Sequence, residues 1–359
     1  MELEHLPRDF RIPNSKKSHF PRGLGELTDR GFENSWKLGE FLAERYVKSG
    51  FLNADMKSRE MYWRSVYINR CLATAATVGA AMFSGAKKHL HPAISTEESD
   101  ETLLNYDTMN CRREHEIYEE LCPGYQNMHF RTWPEFEEFI ANCLNFTRDP
   151  IFEKIKFSEM EAHLNEYKND IPLPEILEIN KQKISKFYTQ VTHKILGIGE
   201  FQNIQLMRIK FGNLIKTLQE NMKKAWSCFE EGEHCTRKMK KFKVYSTQDW
   251  ILMGVLEVFG VLNITLGQEM AEYNTMIILE LWSIDKNPEI KLFFKKDEVK
   301  TELIQIKPEE IRGKKLDLQG FLECCTEYWN NGTSACDAKF LKSRDFVASR
   351  RRKRFAGPE

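Results

Sequence analysis

The sequence predicts an α/β fold in which a helical segment interrupts a sheet-containing domain. Short runs of β-branched and aromatic residues lie toward the two ends of the chain, and the residues between them repeat apolar side chains at helical spacing. This layout is typical of a sheet flanked by helices that carries an insertion. We predict an α/β domain made of residues 1–100 and 236–345, a helical insertion at 101–235 and a basic tail at 346–359.

The N-terminal part is predicted to contain a turn, a helix, a strand and a second helix. A glycine-punctuated stretch at 21–27 precedes Thr28, a candidate N-cap with Asp29 in the first helical turn. The run at 61–66 is aromatic and β-branched, which predicts a strand. Residues 69–83 are small and apolar, which predicts a buried helix.

The middle of the chain is predicted to be helical. Thr132 and Glu135 form a capping box before an apolar stripe of helical period. Two further stripes follow, one at 184–195 that Gly197 ends and one at 204–222. We interpret these stripes as core rather than as contacts to a cofactor.

The C-terminal part returns to strands and contains the first chemical candidate. Strands are predicted at 242–245, 276–282 and 291–294, and a helix at 250–259. Asp249 lies where the first of these strands gives way to the helix, and a helix N-terminus favours bound anions. Asp249 therefore either caps the helix or protonates a leaving group that faces a bound phosphate.

Two arginines form the second candidate. Arg64 lies on the predicted first strand, and Arg70 follows six residues later. An arginine buried at a strand end can hold a phosphate through two parallel hydrogen bonds, a geometry that lysine cannot reproduce. The alternative interpretation is a surface ion pair.

Composition and motifs exclude several other classes of protein. The 53 Lys and Arg balance the 53 Asp and Glu, so no overall basic field indicates a nucleic-acid partner. The most apolar run, 71–83, is shorter than the roughly 20 residues that a membrane span needs. Cys228, His234 and Cys235 lie close together, but no fourth ligand has metal-like spacing. We expect no metal site, no cofactor and no membrane span.

Signals of cellular compartment disagree with one another. The first residues are polar and acidic and lack the apolar core of a signal peptide. Glycosylation sequons at Asn145, Asn263 and Asn331, together with nine cysteines, are typical of a secreted or luminal chain. Nine is an odd number, so at least one thiol is unpaired or pairs outside the chain.

Four segments taken together resemble the histidine acid phosphatases, which include the lysosomal and prostatic acid phosphatases and many nematode proteins. Their order and spacing agree with that family over about residues 18–345. The segments, with the family patterns they resemble, are 20–31 (W-P-x-G-L-G-x-L-T-x-x-G), 62–72 (R-S-[TV]-D-x-x-R), 245–249 (Y-S-x-H-D) and 278–282 (E-L-W/Y).

The resemblance implies a mostly parallel sheet flanked by helices, hydrolysis of phosphate monoesters through a phosphohistidine, a secreted or lysosomal location and a possible homodimer. The family's nucleophile is the histidine of an R-H-G-x-R-x-P motif. Asp249 matches the family's proton donor, and Arg64 matches an arginine that holds phosphate. Gln248 stands where the family has histidine and could donate a hydrogen bond to a phosphoryl oxygen.

The chain departs from the family at the nucleophile. The R-H-G-x-R-x-P motif is absent, because neither His5 nor Arg8 lies within the sequence pattern that surrounds the family's histidine. Tyr67 stands where the family's R-S-[TV]-D-x-x-R pattern has aspartate. In the family the missing strand lies inside the sheet, so its loss would leave backbone groups unpaired. We therefore expect a longer chain to carry the motif and a signal peptide. Two alternatives stay open: a catalytically inactive relative that binds phosphorylated ligands or protein partners, and a helical interaction module without a phosphate site.

The resemblance also concerns the cysteines. It implies a disulfide that joins Cys336 to Cys324 or Cys325, with Cys325 and Cys336 as the preferred pair. Cys122 matches another family cysteine, for which this sequence shows no clear partner. Met276 stands where the family has one more cysteine.

Overall fold

The computed structural model of the protein describes a defined set of residues. They are 20–23, 25–85, 90–98, 101–104, 111–122, 130, 132–144, 155, 157–297, 302–307, 317–330 and 336. The predictions for Asn145, Asn331 and the basic tail at 346–359 lie outside these residues.

The described strands form two sheets of three strands each. The first sheet is parallel, with the order β2-β1-β3, and the second is antiparallel, with the order β4-β5-β6. Together with the flanking helices, they confirm the predicted α/β class. The strands are β1 (Met61–Ser65), β2 (Ile94–Ser95), β3 (Phe242–Ser246), β4 (Met276–Ile284), β5 (Asn287–Lys295) and β6 (Ile304–Ile306).

Helices lie before, between and after the strands. Their bounds are α1 (Asp29–Leu42), α2 (Asn69–Met82), α3 (Arg112–Leu121), α4 (Trp133–Cys143), α5 (Phe157–Lys168), α6 (Glu175–Leu196), α7 (Ile204–Glu231), α8 (Glu233–Thr236), α9 (Asp249–Val258), α10 (Leu262–Thr265) and α11 (Leu318–Glu323).

The predicted helix ends are confirmed by their hydrogen bonds. Thr28 caps α1 by accepting a bond from the backbone N–H of Gly31, and Thr132 caps α4 by accepting one from Glu135. Gly197 ends α6 in the left-handed conformation, with φ of 67°. These local signals therefore place the helices correctly.

Helices α1 and α2 cover one face of both sheets. A Cβ added at Gly39 of α1 would collide with the carbonyl oxygen of Val78 in α2, so glycine allows the two helices to approach closely. Beneath them, Trp63 of β1 and Ile278 of β4 belong to one buried cluster. Glu280 of β4 ties this face to the π-helical segment Ala43–Val47 that follows α1, because it accepts hydrogen bonds from Arg45 at 2.7 Å and from the Tyr46 hydroxyl at 2.6 Å.

The other face of the sheets packs against the helical middle of the chain. A single buried cluster joins Phe136 of α4, Phe187 of α6 and Phe211 of α7 to Leu256 of α9 and Leu292 of β5. The residues of the predicted insertion thus share one core with the α/β part. The domain boundaries at 101 and 235 stay a prediction, although the helical content of that segment is as expected.

The disulfide prediction for Cys336 is wrong. Cys336 bonds to Cys111, which precedes α3, and their Cα atoms are 5.0 Å apart. Cys324 and Cys325 bond to each other instead, at the end of α11. The true partners are 225 residues apart in sequence, so only the tertiary fold could bring them together.

The remaining cysteines complete the set, and all nine lie within the described residues. Cys122 pairs with Cys143, which joins the end of α3 to the end of α4. Cys228 pairs with Cys235, which explains their closeness in sequence without a metal. Cys71 is buried and unpaired, in agreement with the odd cysteine count.

The described helices include none that is long and apolar enough to cross a membrane. Within the same part of the chain, His, Cys, Asp and Glu side chains do not cluster in a way that could hold a metal ion.

Candidate active site

A large cavity separates the two sheets. Its volume is about 2650 Å³, and its walls come from β3, β4, the N-terminal ends of α2 and α9, and helix α5. The strand–turn–helix between β3 and α9 opens directly into this cavity. The candidate residues of 245–249 are therefore placed where a ligand could reach them.

Asp249 is the first residue of α9 and lines the cavity. Its Oδ1 atom accepts a hydrogen bond from the backbone N–H of Trp250 at 2.8 Å. Its side chain is reached by solvent within the cavity, but the surrounding protein raises the pKa of the carboxyl because it disfavours the charged form. A carboxyl with a raised pKa holds its proton more readily, as a general acid must.

Gln248 precedes Asp249 and is oriented by the same tryptophan. Its Oε1 atom accepts a hydrogen bond from Nε1 of Trp250 at 2.8 Å. Because the amide oxygen already accepts this hydrogen bond, the amide NH₂ group is the end of the side chain that can donate to a ligand oxygen.

Arg70 is one of two cavity cations, with Lys168, whose charges act on Asp249. It lies in the first turn of α2, is exposed to the cavity and donates a hydrogen bond of 3.4 Å to the carbonyl of Gly25. Its charge and that of Lys168 on α5 oppose the effect of burial on the pKa of Asp249. The carboxyl at the N-terminal end of α9 therefore lies in a cavity that also contains an ammonium and a guanidinium.

Arg64 has a different environment from the one expected. It is 3% exposed, and its guanidinium pairs with Glu101 and, at 3.1 Å, with Glu97. It does not line the cavity, although Glu101 does. The structure thus places Asp249, Gln248 and Arg70 together in the lining of the cavity. Arg64 lies outside this lining and pairs with carboxylates. Its role in holding phosphate stays a prediction.

Two acidic side chains in the cavity were not found from the sequence. Burial, with the charge of Glu161 as a second cause, raises the pKa of Glu137 on α4 to about 8. Burial and then the nearby charge of Asp249 raise the pKa of Glu161 on α5. No sequence signal marks either residue, because each occupies a place in a helix that is ordinary for glutamate.

Histidine is missing from the described lining of the cavity. The side chains that line it include the buried thiol of Cys71, whose pKa is raised by burial. A thiol held neutral is a poor nucleophile. The part of the chain that the structure describes therefore supplies an acid and a cation, but no histidine nucleophile.

Of the glycosylation candidates, Asn263 can be located. It is exposed on α10, away from the residues that line the cavity. Its modification stays a prediction.

The fold and the cavity define a class: an α/β protein whose cavity contains the N-terminal end of a helix, a carboxyl of raised pKa and an arginine. Residues 3–295 match the family model described as "Histidine phosphatase superfamily (branch 2)", and the chain belongs to that family.

Named relatives agree with this assignment. The chain is 29% identical over 317 residues to "Putative acid phosphatase 1" of Caenorhabditis elegans, with 86% of this chain and 70% of that protein covered. It is 26% identical over 301 residues to the lysosomal acid phosphatase of Rattus norvegicus, with coverage of 79% and 66%. The chain thus spans about two thirds of the length of these relatives.

Solved structures share the fold. A phytase of Klebsiella sp ASR1 superposes with a TM-score of 0.55 at 12% identity, over 85% of this chain and 86% of that one. A phytase of Hafnia alvei gives 0.54 at 12% identity, over 88% and 90%. At this identity the likeness establishes the architecture alone.

Proposed function

We propose that this chain binds phosphate monoesters in the cavity between its sheets and acts on them as an acid phosphatase, with Asp249 as the proton donor. The observation that carries the proposal is that Asp249, at the N-terminal end of α9, and Arg70 line the same cavity and that the charge of Arg70 acts on the Asp249 carboxyl. The backbone N–H groups of that helix end and the guanidinium favour a bound phosphate dianion. A protonated Asp249 can then transfer its proton to the leaving alcohol.

The raised pKa of Asp249 implies the pH range of such an activity. The carboxyl must be protonated to act as an acid, so turnover should fall as pH rises through the pKa of Asp249. Phosphate monoester hydrolysis through a phosphohistidine also needs the histidine that the relatives' family motif contains. We propose that turnover requires this histidine as the nucleophile.

A second candidate function is phosphate binding without turnover. It is favoured by the absence of histidine from the described cavity lining, by Gln248 in place of the family histidine, and by the ion pairs that occupy Arg64. Such a protein would retain affinity for phosphorylated ligands through Arg70 and the end of α9.

Turnover of an aryl phosphate near pH 5 by the purified chain separates the two candidates. In an active enzyme, Asp249→Asn should lower kcat by about 10²–10⁴-fold, because an amide cannot donate the proton. Asp285→Asn is the matched control, since Asp285 lies in the exposed turn between β4 and β5 and should leave kcat unchanged.

Binding of inorganic phosphate, measured by calorimetry, tests the site itself. Arg70→Ala should weaken binding about tenfold or more, whereas Arg59→Ala, an exposed arginine away from the cavity, should not. Binding without turnover would favour the non-catalytic candidate. Phosphate affinity that does not depend on Arg70 would contradict both.

A further inference from the structure

One end of the molecule gathers several chain segments around the start of the parallel sheet. Because β1 and β3 run in the same direction, the residues that lead into both strands meet there. The π-helical segment after α1 reaches the same end, since the ring centroid of Tyr46 lies 5.1 Å from that of Phe242, the first residue of β3. Asp249 follows the opposite end of β3, so this end differs from the one that holds the candidate active site.

The end of α7 lies beside the same strand. Lys243 of β3 donates a hydrogen bond to the side chain of Asn221 on α7. Burial and then the charge of Lys224, about one turn further along the helix, lower the pKa of Lys243, so the two ammonium groups lie close enough to repel each other. The disulfide between Cys228 and Cys235 holds the following segment against the end of α7.

Exposed cations crowd this end of the molecule. Between residues 223 and 243 the chain has seven Lys and Arg but three Glu, in a protein whose net charge is zero. All seven cations are exposed, and we call them the basic surface: Lys223, Lys224, Arg237, Lys238, Lys240, Lys241 and Lys243. Two of the three glutamates are already engaged, Glu230 by the indole N–H of Trp226 and Glu233 by Arg237. The basic surface therefore carries more charge than its own acids neutralise.

Two phenylalanine rings lie exposed beside the basic surface. Phe51 is 44% exposed, and the ammonium of Lys241, which also pairs with Glu60 at 3.6 Å, lies 5.1 Å from its ring centroid. Phe229 is 53% exposed on the last turn of α7, where its ring stacks on that of Trp226 with the centroids 5.2 Å apart. A single exposed apolar side chain is ordinary, but two among lysines form a surface that is both apolar and cationic.

We propose that this end of the molecule docks peripherally on a bilayer that contains anionic phospholipids. Phe51 and Phe229 enter the interface, and the basic surface lies among the lipid phosphates, because lysine keeps its charge in the polar layer while apolar groups beside it are buried. Basic residues near an anionic leaflet each add to the affinity. A sulfated polysaccharide would match the charge alone and leave both rings in water, so a bilayer is the partner that matches both properties.

Docking through this end orients the rest of the molecule. Asp249 follows the opposite end of β3, so the part of the cavity that contains it faces solution when the basic surface lies on the bilayer. The proposal does not rest on the proposed function, because it follows from charge and exposure rather than from phosphate chemistry.

Sedimentation of the unaltered full chain with lipid vesicles tests the proposal directly. The protein should bind vesicles of phosphatidylcholine mixed with phosphatidylserine and should not bind vesicles of phosphatidylcholine alone, because only the first carry negative charge. Failure to bind the mixed vesicles, or equal binding to both kinds, would overturn the proposal.

A double substitution tests whether the basic surface makes the contact. Lys224→Gln with Lys238→Gln should weaken binding to the mixed vesicles roughly 20-fold, since each basic residue near an anionic leaflet contributes about fivefold to the affinity. The matched control is Arg22→Gln with Lys37→Gln, which removes the same charge before α1 and on that helix. The control should weaken binding less than about threefold, because distant exposed charges are screened. Equal losses in the two variants would mean that binding follows the net charge of the chain, and the proposal would be wrong.

A third substitution distinguishes a bilayer from other polyanions. Phe229→Ala should weaken binding to the mixed vesicles about fivefold, because a ring that enters the interface leaves water. Tyr167→Ala, at a ring that is 45% exposed on α5, is the control and should change binding less than about twofold. If Phe229→Ala binds as tightly as the unaltered chain, the surface recognises polyanions in general, and competition by heparin, a sulfated polysaccharide, would identify that class of partner. This result would overturn the proposal.

Discussion

The helical middle of the chain and its sheet region differ in how completely they are closed. Helices α3 to α7 bury a continuous core in which even a charged side chain is matched, since Lys210 of α7 pairs with Glu114 of α3 and both are fully buried. The sheet region instead leaves the edges of β3 and β4 beside a large cavity. A helix satisfies its backbone within itself, whereas a strand depends on a neighbour, so the two regions differ at the strand edges.

The largest expected effect concerns the disulfide that links the two regions. Cys111–Cys336 closes 225 residues and Cys228–Cys235 closes 7. If chain entropy dominates, replacing the first pair by serine should lower the free energy of unfolding by about 5 kcal/mol, and the second by about 2 kcal/mol. Denaturant unfolding in oxidising buffer measures both. Equal losses would show that the long disulfide does not constrain the unfolded chain as expected.

The next effect tests the matched charge in the helical core. Lys210→Met leaves Glu114 buried without its cation and should destabilise the protein by about 3–5 kcal/mol. Lys223→Met is the control, because Lys223 is exposed on the same helix. A loss below about 1 kcal/mol would mean that Tyr118, which donates a 2.9 Å hydrogen bond to Glu114, is sufficient to stabilise the carboxylate.

The cavity acid Glu137, on α4, should give the stability of the protein a pH dependence. The folded pKa of Glu137 is about 8, above its unfolded value of 4.5, so the folded state binds the proton more tightly. The stabilisation is present below pH 4.5 and is lost as pH rises toward 8, amounting to roughly 3 kcal/mol at pH 7. Glu137→Gln should remove this loss and stabilise the protein at pH 7 while leaving it unchanged at pH 4.

The exposed residue Glu302 provides the control for that measurement. Glu302→Gln should show the same pH dependence as the unaltered chain. If the stability of the Glu137→Gln variant depends on pH in the same way as that of the unaltered chain, the assignment of this pH dependence to the Glu137 carboxyl is contradicted.

The smallest effect tests the contact between the regions. A Cβ at Gly254 of α9 would collide with the ring of Phe211 on α7. Gly254→Ala should therefore cost about 1–3 kcal/mol from overpacking, although alanine is the better helix former. Gly85→Ala, where a Cβ meets nothing within 4 Å, should be nearly neutral. A stabilised Gly254→Ala variant would mean that α9 and α7 can separate at little cost.

The position of Asp249 in the site could be predicted from the local sequence. Asp249 was identified because a strand pattern ends and a helix pattern begins beside it, and the structure places it in the cavity as part of that turn. Arg64 shows where this reasoning stops. Its residue type and strand position suggested a phosphate ligand, but Glu101, 37 residues away, pairs with its guanidinium. Glu137 and Glu161 gave no signal, because their pKa values depend on what packs around them.

The sequence by itself determined the family of this protein, helices α1, α2, α4, α6, α7 and α9, and strands β1, β3, β4 and part of β5. These depend on residues a few positions apart or on the order of short segments. Tertiary structure alone decided that Cys336 bonds to Cys111, that Arg70 rather than Arg64 accompanies Asp249, and that the strands divide into two sheets. Each of these depends on which distant residues meet in space. Disulfides, ion pairs and strand neighbours are long-range contacts, and periodicity along the chain does not specify them.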